Sequence, residues 1–416
     1  MRILILTQFY WPEIRTAPLN LAALAEDLQA RGHDVTVLTG FPNHPFGRIY
    51  DGYRLKTWQW DSVRGVKVLR VPLFPDHSLS LMKRVFNYGS FALSATFIGG
   101  LLFRKAQFDV MLVYLPPLTI GAPAAFLSWW HRAPVVYWMT DLWPENLVAA
   151  GAQIKPFMYK FIRRLENWVY ERGRIISVNS PGFLGNLEDK GVNPQKIRIV
   201  TDWADENIFF PTEYDGELAD HFGLSGKFNV IYGGNLGKVQ GLDVVLKAAH
   251  NLQDLHDVRI VLIGDGTESE KLKKEASERS LGNVVFIPRQ PPEQIYRFFA
   301  LADVLFVHLT QAPVFEMQIP SKIMAYFACG RPVLCAVHGV AAKLVKEADA
   351  GVYCAPEDPR ALSTQIRCLY KMPRAELKRI GENGRQAYLS KYTRNIQVNR
   401  VEGIFKEAAT VGMGAS

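Results

Sequence analysis

Residues 231–243 read IYGGNLGKVQGLD, two apolar residues running into glycines, an amide and a lysine before a helical pattern begins. Gly233, Gly234, Gly237 and Gly241 permit positive φ and close backbone approach, and free N–H groups where a strand hands over to a helix attract an anion. Lys238 adds a mobile positive charge. The spacing is neither G-x-x-x-x-G-K-[ST] nor G-x-G-x-x-G, so neither nucleotide fingerprint applies; a tight packing turn would use the same glycines. A second candidate anion site lies at Pro320, Ser321 and Lys322, which open a small-residue helix ending at Gly330, although an ordinary N-cap has the same appearance. IGDG, with Gly264, Asp265 and Gly266, ends another strand and is either a ligand contact or a turn.

The first half of the chain carries the carboxylates. TDLWPE, residues 140–145, follows a strand and sets Asp141 and Glu145 around a Trp and a Pro. Carboxylates at a strand's carboxyl end suit sugar hydroxyls or proton transfer. TGFPNHPFG, residues 39–47, also follows a strand and offers Asn43 and His44, a loop histidine that simple solvation explains equally well.

Elements that could position these residues are legible as alternating apolar strands and amphipathic helices. RILILT, HDVTVLTG, VKVLRV, FDVMLVYL, APVVYWMT and RIISVNS read as strands of one parallel sheet. FNVIYGG, VRIVLIGDG, NVVFIPR, DVLFVHLT and RPVLCAV repeat the plan, and Leu242, Val245, Leu246, Ala249 and Leu252 give the intervening helix one apolar face. Asp358 and Pro359 form an N-cap and first helical residue. The polar stretch 201–216 marks the boundary between two α/β units, whose facing carboxyl ends would make a cleft.

Composition is globular, at 48% apolar and 21% charged over 416 residues. MRILILTQFYWPE has too short an apolar run for a signal peptide and reads as a first strand. Cys329, Cys335, Cys354 and Cys368 show no C-x-x-C spacing and are expected to be buried free thiols, and no His/Cys cluster suggests a metal. Of the net charge of +8, residues 1–200 hold 23 basic against 14 acidic side chains. No basic helix or aromatic RNA-binding motif accompanies that excess, so anionic lipid is a better partner than nucleic acid. The segment 81–107 agrees: an apolar run of about 18 residues lies between Lys83, Arg84 and Arg104, Lys105, with Phe97 within it. A crossing helix needs about 20 mostly apolar residues. Asn87, Ser90, Ser94, Thr96 and three glycines make this run better suited to the interface, with a buried helix as the plain alternative.

Taken together, YWPEIRTAPLNLAALAEDLQARGHDVTVLTGFPNHPFG, DLWPENLVAAGA, GGNLGKVQGLD, IGDG and IPSKIMAYFACGRPV resemble the retaining family-4 glycosyltransferases of the GT-B fold. The resemblance is nearest to fucosaminyl-type enzymes of bacterial O-antigen and exopolysaccharide assembly. It implies two Rossmann-like domains facing across a cleft: an acceptor domain at 1–203, a nucleotide-sugar domain at 204–385, and a helical segment 386–416 packing back on the first. It implies transfer from a nucleoside diphosphate sugar, UDP-linked, to a lipid-linked saccharide at the cytoplasmic leaflet, with no metal or other cofactor. By the same resemblance the donor falls to Gly233, Gly234, Asn235, Lys238, Gly264, Asp265, Gly266, Arg289, Glu316, Ser321 and Lys322. The acceptor falls to Thr16, Ala17, Asn43, His44 and Trp143, and the chemistry to Asp141, Glu145 and Lys238. In the family's front-face mechanism the donor's own phosphate takes the proton, so no protein base is required.

Departures from the family pattern leave two other readings open. Asn235 and Gln240 stand where relatives carry Arg and Lys, Ala325 where they carry the second glutamate of a pair, Thr140 where they carry His, and Asp202 where they carry Asn. An inactive membrane-docked partner would account for these losses. An epimerase would share the donor site but would leave the apolar basic segment unexplained.

Overall fold

A computed structural model of the chain describes residues 1–13, 16–76, 81–149 and 151–410. Two sheets face each other. The first contains β1 (Arg2–Leu6), β2 (Asp34–Gly40), β3 (Gln59–Val63), β4 (Val66–Val71), β5 (Val110–Leu115), β6 (Val135–Met139), β7 (Ile175–Val178) and β8 (Ile197–Ile199). Their order is 3-4-2-1-5-6-7-8, and every neighbouring pair is parallel except the β3–β4 hairpin. The second contains β9 (Phe228–Gly233), β10 (Val258–Ile263), β11 (Val284–Ile287), β12 (Val304–His308), β13 (Val333–Ala336) and β14 (Gly351–Tyr353), all parallel in the order 11-10-9-12-13-14. Runs such as VMLVYL in β5 are buried at every position because helices cover both faces, as parallel sheets require.

On one face of the first sheet lie α2 (Leu81–Leu102), α3 (Gly121–His131) and α5 (Pro156–Arg172), with the short α4 (Glu145–Ala149) before α5. α1 (Thr16–Ala30) covers the other face together with the helix Arg394–Thr410, whose Val398, Val401, Ile404 and Phe405 complete that core. This last helix brings the chain's end back from the second sheet, and Arg394 fixes it with 2.7 Å hydrogen bonds to both carboxylate oxygens of Asp27. The helix Arg374–Lys391 runs through residue 385, so the crossing itself falls at residues 392–393. The strand order reverses beside β1 and β9. Loops leaving those two strands therefore diverge outside the carboxyl ends, which is where ligands bind in such sheets.

Three of the four cysteines are buried; Cys368 is exposed, because it lies on the solvent side of the helix Pro359–Lys371. Asp358 caps that helix as expected, accepting from the N–H groups of Arg360 and Ala361 at 2.9 Å.

Candidate active site

Between the carboxyl ends of the sheets opens a cavity of about 480 Å³. The second sheet contributes Gly233, Gly234, Asn235, Gly264, Asp265, Arg289, Ser321, Lys322 and Ala325, and the first domain and linker contribute Trp11, Asn20, Arg64, Trp203 and Asp205. Its floor depends on two glycines. Gly234 has φ +144° and Gly264 φ +149°, and a Cβ on Gly264 would sit 1.8 Å from the Gly234 carbonyl oxygen. A Cβ on Gly234 would in turn meet Lys322, at 2.5 Å from Cε and 2.9 Å from Nζ. The lysine lies flat over the glycine backbone, with its ammonium 5.1 Å from the Tyr232 ring centre.

Lys322 makes no ion pair among the described residues. It keeps some accessible surface, yet it lies deep enough that loss of solvent lowers its ammonium to about 8. Such a group is stabilised by an incoming anion, and diphosphate is an anion of suitable size for the cavity. The Asn235 and Gln240 substitutions prove to be coupled. Asn235 Nδ2 donates to Gln240 Oε1 at 3.1 Å, and the Gly237 N–H donates to the same oxygen at 3.2 Å. This loop has a neutral amide staple, and the positive charge at the glycines comes from Lys322.

A second, smaller pocket of about 280 Å³ adjoins the first through Ser321 and is lined by Phe9, Tyr114, Thr140, Asp141, Asn179, Asp202 and Gln318. Asp141 accepts from Asn146 Nδ2 at 2.6 Å, and Asn146 accepts from Gln318 Nε2 at 2.9 Å, so this hydrogen-bond chain bridges the two domains. Asp202 accepts from Asn179 Nδ2 at 3.0 Å. Burial, reinforced by the nearby Asp141 charge and opposed by the Asn179 bond, raises the Asp202 carboxyl to about 6. The pocket thus pairs two carboxylates with amides, a set of groups suited to sugar hydroxyls.

Several expected residues lie elsewhere. Lys238 is exposed on a 3-10 turn, its Nζ 3.9 Å from the Cβ position of Gly151, and it does not line the cavity. Glu316 is exposed outside both pockets. Gly266 packs beneath Leu236, and its N–H is taken by Asp265 at 2.8 Å. Glu145 is held by Lys190 Nζ at 2.9 Å, and the same ammonium bonds Glu166 at 2.8 Å and the Trp143 carbonyl at 3.0 Å. That buried cluster fixes the loop carrying Asp141 rather than lining its pocket. Asn43 is buried, its amide donating to the Phe41 carbonyl at 3.0 Å. The backbone N–H groups of Asn43 and His44 both donate to Glu13 at 2.8 Å. Thr16 and Ala17 open α1, but their side chains lie outside the described residues.

Asp202, Asn179 and Asn20 are among the lining residues that sequence reasoning left without a role. Asp202 follows β8, a strand of only three residues whose pattern is too short to announce a strand end.

Two family models match the chain in succession. Residues 20–203 match a glycosyl transferase 4-like domain, and residues 218–387 match the glycosyl transferases of group 1. The chain thus joins a glycosyl transferase 4-like domain to a group 1 glycosyl transferase domain, on a fold shared with GT-B structures. Among similar proteins is WcaI of Escherichia coli K12, named for a glycosyl transferase role in colanic acid biosynthesis, 26% identical over 79% of this chain and 82% of its own length. Another is the N-acetyl-alpha-D-glucosaminyl L-malate synthase of Bacillus anthracis, 23% identical over 95% and 94% of the two chains. The solved structure of Anabaena HepE in complex with UDP covers 98% of this chain and 100% of its own, with a TM-score of 0.74 at 17% identity.

Proposed function

We propose that this glycosyltransferase transfers a sugar, with retention of anomeric configuration, from a UDP-sugar to a lipid-linked saccharide during cell-surface polysaccharide assembly. The observation that carries this reading is the Lys322 ammonium, laid against Gly234 without a carboxylate partner and facing a cavity wide enough for a nucleotide sugar. The names of WcaI and of TuaH from Bacillus subtilis, a relative named for teichuronic acid biosynthesis, support the polymer class. The UDP in the HepE structure supports the nucleotide.

As the bond between the sugar and the diphosphate breaks, negative charge grows on the leaving oxygens. Lys322 and Ser321, with the Gly234–Asn235 backbone, are positioned to meet it, and loss of one such donor costs about 2.7 to 4 kcal/mol. Asp141 and Asp202 orient the acceptor hydroxyls in the adjoining pocket. With no metal in this reading, the leaving charge falls on Lys322, Ser321 and the glycine-loop backbone.

α2 supplies the route to a lipid-linked acceptor at the cytoplasmic leaflet. Met82–Leu102 is the one helix among the described residues long and apolar enough to cross a bilayer. Only one side of it is packed: Asn87, Phe91 and Ala95 are buried, while Phe97 is 71% exposed, which suits a helix lying in the interface. Lys83, Arg84, Arg104 and Lys105 lie at its two ends.

The test is incubation of the purified protein with UDP-glucose, UDP-N-acetylglucosamine, UDP-N-acetylgalactosamine or GDP-mannose, with and without bacterial membranes. UDP release that depends on membranes, with an α-linked product by proton NMR, is expected. Isomerisation of the donor without membranes, release of GDP alone, or no turnover would contradict the reading.

A further inference from the structure

Outside the cleft, exposed apolar side chains gather on one face of the first sheet, and α2 does not hold all of them. The N-terminal half of α5 exposes Phe157 at 65% and Phe161 at 61%, four residues apart and so stacked on one side of the helix. Lys155, Lys160 and Arg164 are also exposed and form no ion pair among the described residues. No acidic residue occurs between Asn146 and Leu165. Beyond that point the helix changes character: Glu166, Val169 and Tyr170 are buried in the core. The first half of α5 therefore projects from the domain with aromatic and cationic groups and little packing of its own.

Its position relative to α2 is set by the sheet. Both helices follow strands of the parallel sheet, so both begin at the carboxyl edge and run back along the same face. The 3-10 turn Leu118–Ile120 packs against both of them, and α3 lies between. We propose that the N-terminal half of α5 is a second lipid-docking element, resting on the same anionic bilayer surface as α2. This rests on the α2 docking stated above and extends it.

Charge complementarity selects the occupant. Unpaired lysine and arginine beside exposed phenylalanine suit anionic headgroups over an acyl boundary. A second protein surface would require acidic groups placed against each of these cations. With both helices on one plane, the bilayer surface runs beside loop 140–144, where the Asp141 pocket opens, and a lipid-linked saccharide need not leave the membrane to be used.

The experiment is co-sedimentation of the full chain with vesicles of phosphatidylcholine, with and without one-quarter phosphatidylglycerol. It uses wild type, Lys160→Glu/Arg164→Glu, Phe157→Ser/Phe161→Ser, and the α2 pair Leu93→Ser/Phe97→Ser. Thermal melts check that each variant folds, and the charge-reversal pair involves exposed side chains only. Wild type is expected to bind the anionic vesicles, and both α5 variants are expected to lose at least tenfold in partitioning with unchanged melting. Wild-type binding by the α5 variants alongside loss in the α2 pair would overturn the α5 element and leave α2 docking standing. Loss in the α5 variants alone would support α5 and overturn α2. No binding by wild type would overturn both. A dimer in sedimentation velocity that Phe157→Ser/Phe161→Ser converts to monomer would show that the face holds a second copy, and would also overturn the proposal.

Discussion

The two sides of the cleft meet the same problem with opposite charges. On the donor side a half-buried lysine lies over glycine backbone, and desolvation pulls its ammonium down to about 8. On the other side a half-buried carboxyl lies among amides beside a second carboxylate, and desolvation pushes it up to about 6. Each arrangement holds a charge that the protein itself compensates poorly, and under the proposed function each would be relieved by a different ligand: an anion for Lys322, hydroxyl groups for Asp202. The contrast teaches that the polarity of this site is divided by domain. Diphosphate binding and acceptor binding should therefore respond to separate substitutions.

The sharpest way to break that contrast is to undermine one side only. Lys190→Ala removes the buried cation between Glu145 and Glu166, leaving the two carboxylates only the partly exposed Arg163 as a partner. It should cost about 3 to 5 kcal/mol in urea denaturation. Rescue by Lys190→Arg would show that the charge, rather than the shape, holds the loop.

Asp202→Asn is expected to act in the opposite direction. The folded protein holds the Asp202 proton up to about pH 6, whereas an unfolded aspartate releases it near 3.9, so wild-type stability falls as pH rises from about 4 to about 6. Above that window the neutral amide should be more stable than wild type by about 1 to 2 kcal/mol. Equal stability of the two proteins at pH 4 and at pH 8 would mean that Asp202 is solvated and not poised.

Lys238→Ala should have the smallest effect. Because Lys238 lies outside the cavity, UDP affinity should change less than about twofold, well below the 1.4 kcal/mol of a tenfold change. A tenfold loss would mean that the glycine loop rearranges around the donor and carries Lys238 into the site.

Much of this architecture is legible in the sequence, for identifiable reasons. Strands buried on both faces, such as FDVMLVYL and DVLFVHLT, are long apolar runs and stand out. β3, with alternately exposed positions in QWDSV, and β8 and β14, with three residues each, lie at or near sheet edges where burial is partial and the pattern fades. Glycine loops are readable because few other residues permit their geometry. The direction of a side chain is not: Lys238 and Lys322 are both lysines beside glycines, and only the fold turns one toward the cavity and the other away. Asp141 could be found because a strand precedes it, whereas Asp202 depended on a strand too short to see. Glu145 was visible as a carboxylate, but its partner Lys190 is 45 residues away in the chain and was not.

The most direct test of the divided cleft is calorimetric titration with UDP and with GDP, for wild type and Lys322→Ala, at pH 7 and pH 9. Micromolar binding of UDP that Lys322→Ala weakens by at least tenfold is expected. Wild type alone should also lose roughly tenfold at pH 9, where an ammonium at about 8 is mostly neutral. UDP binding that is indifferent to both the substitution and the pH would show that Lys322 does not hold the diphosphate, and the donor side described here would be wrong.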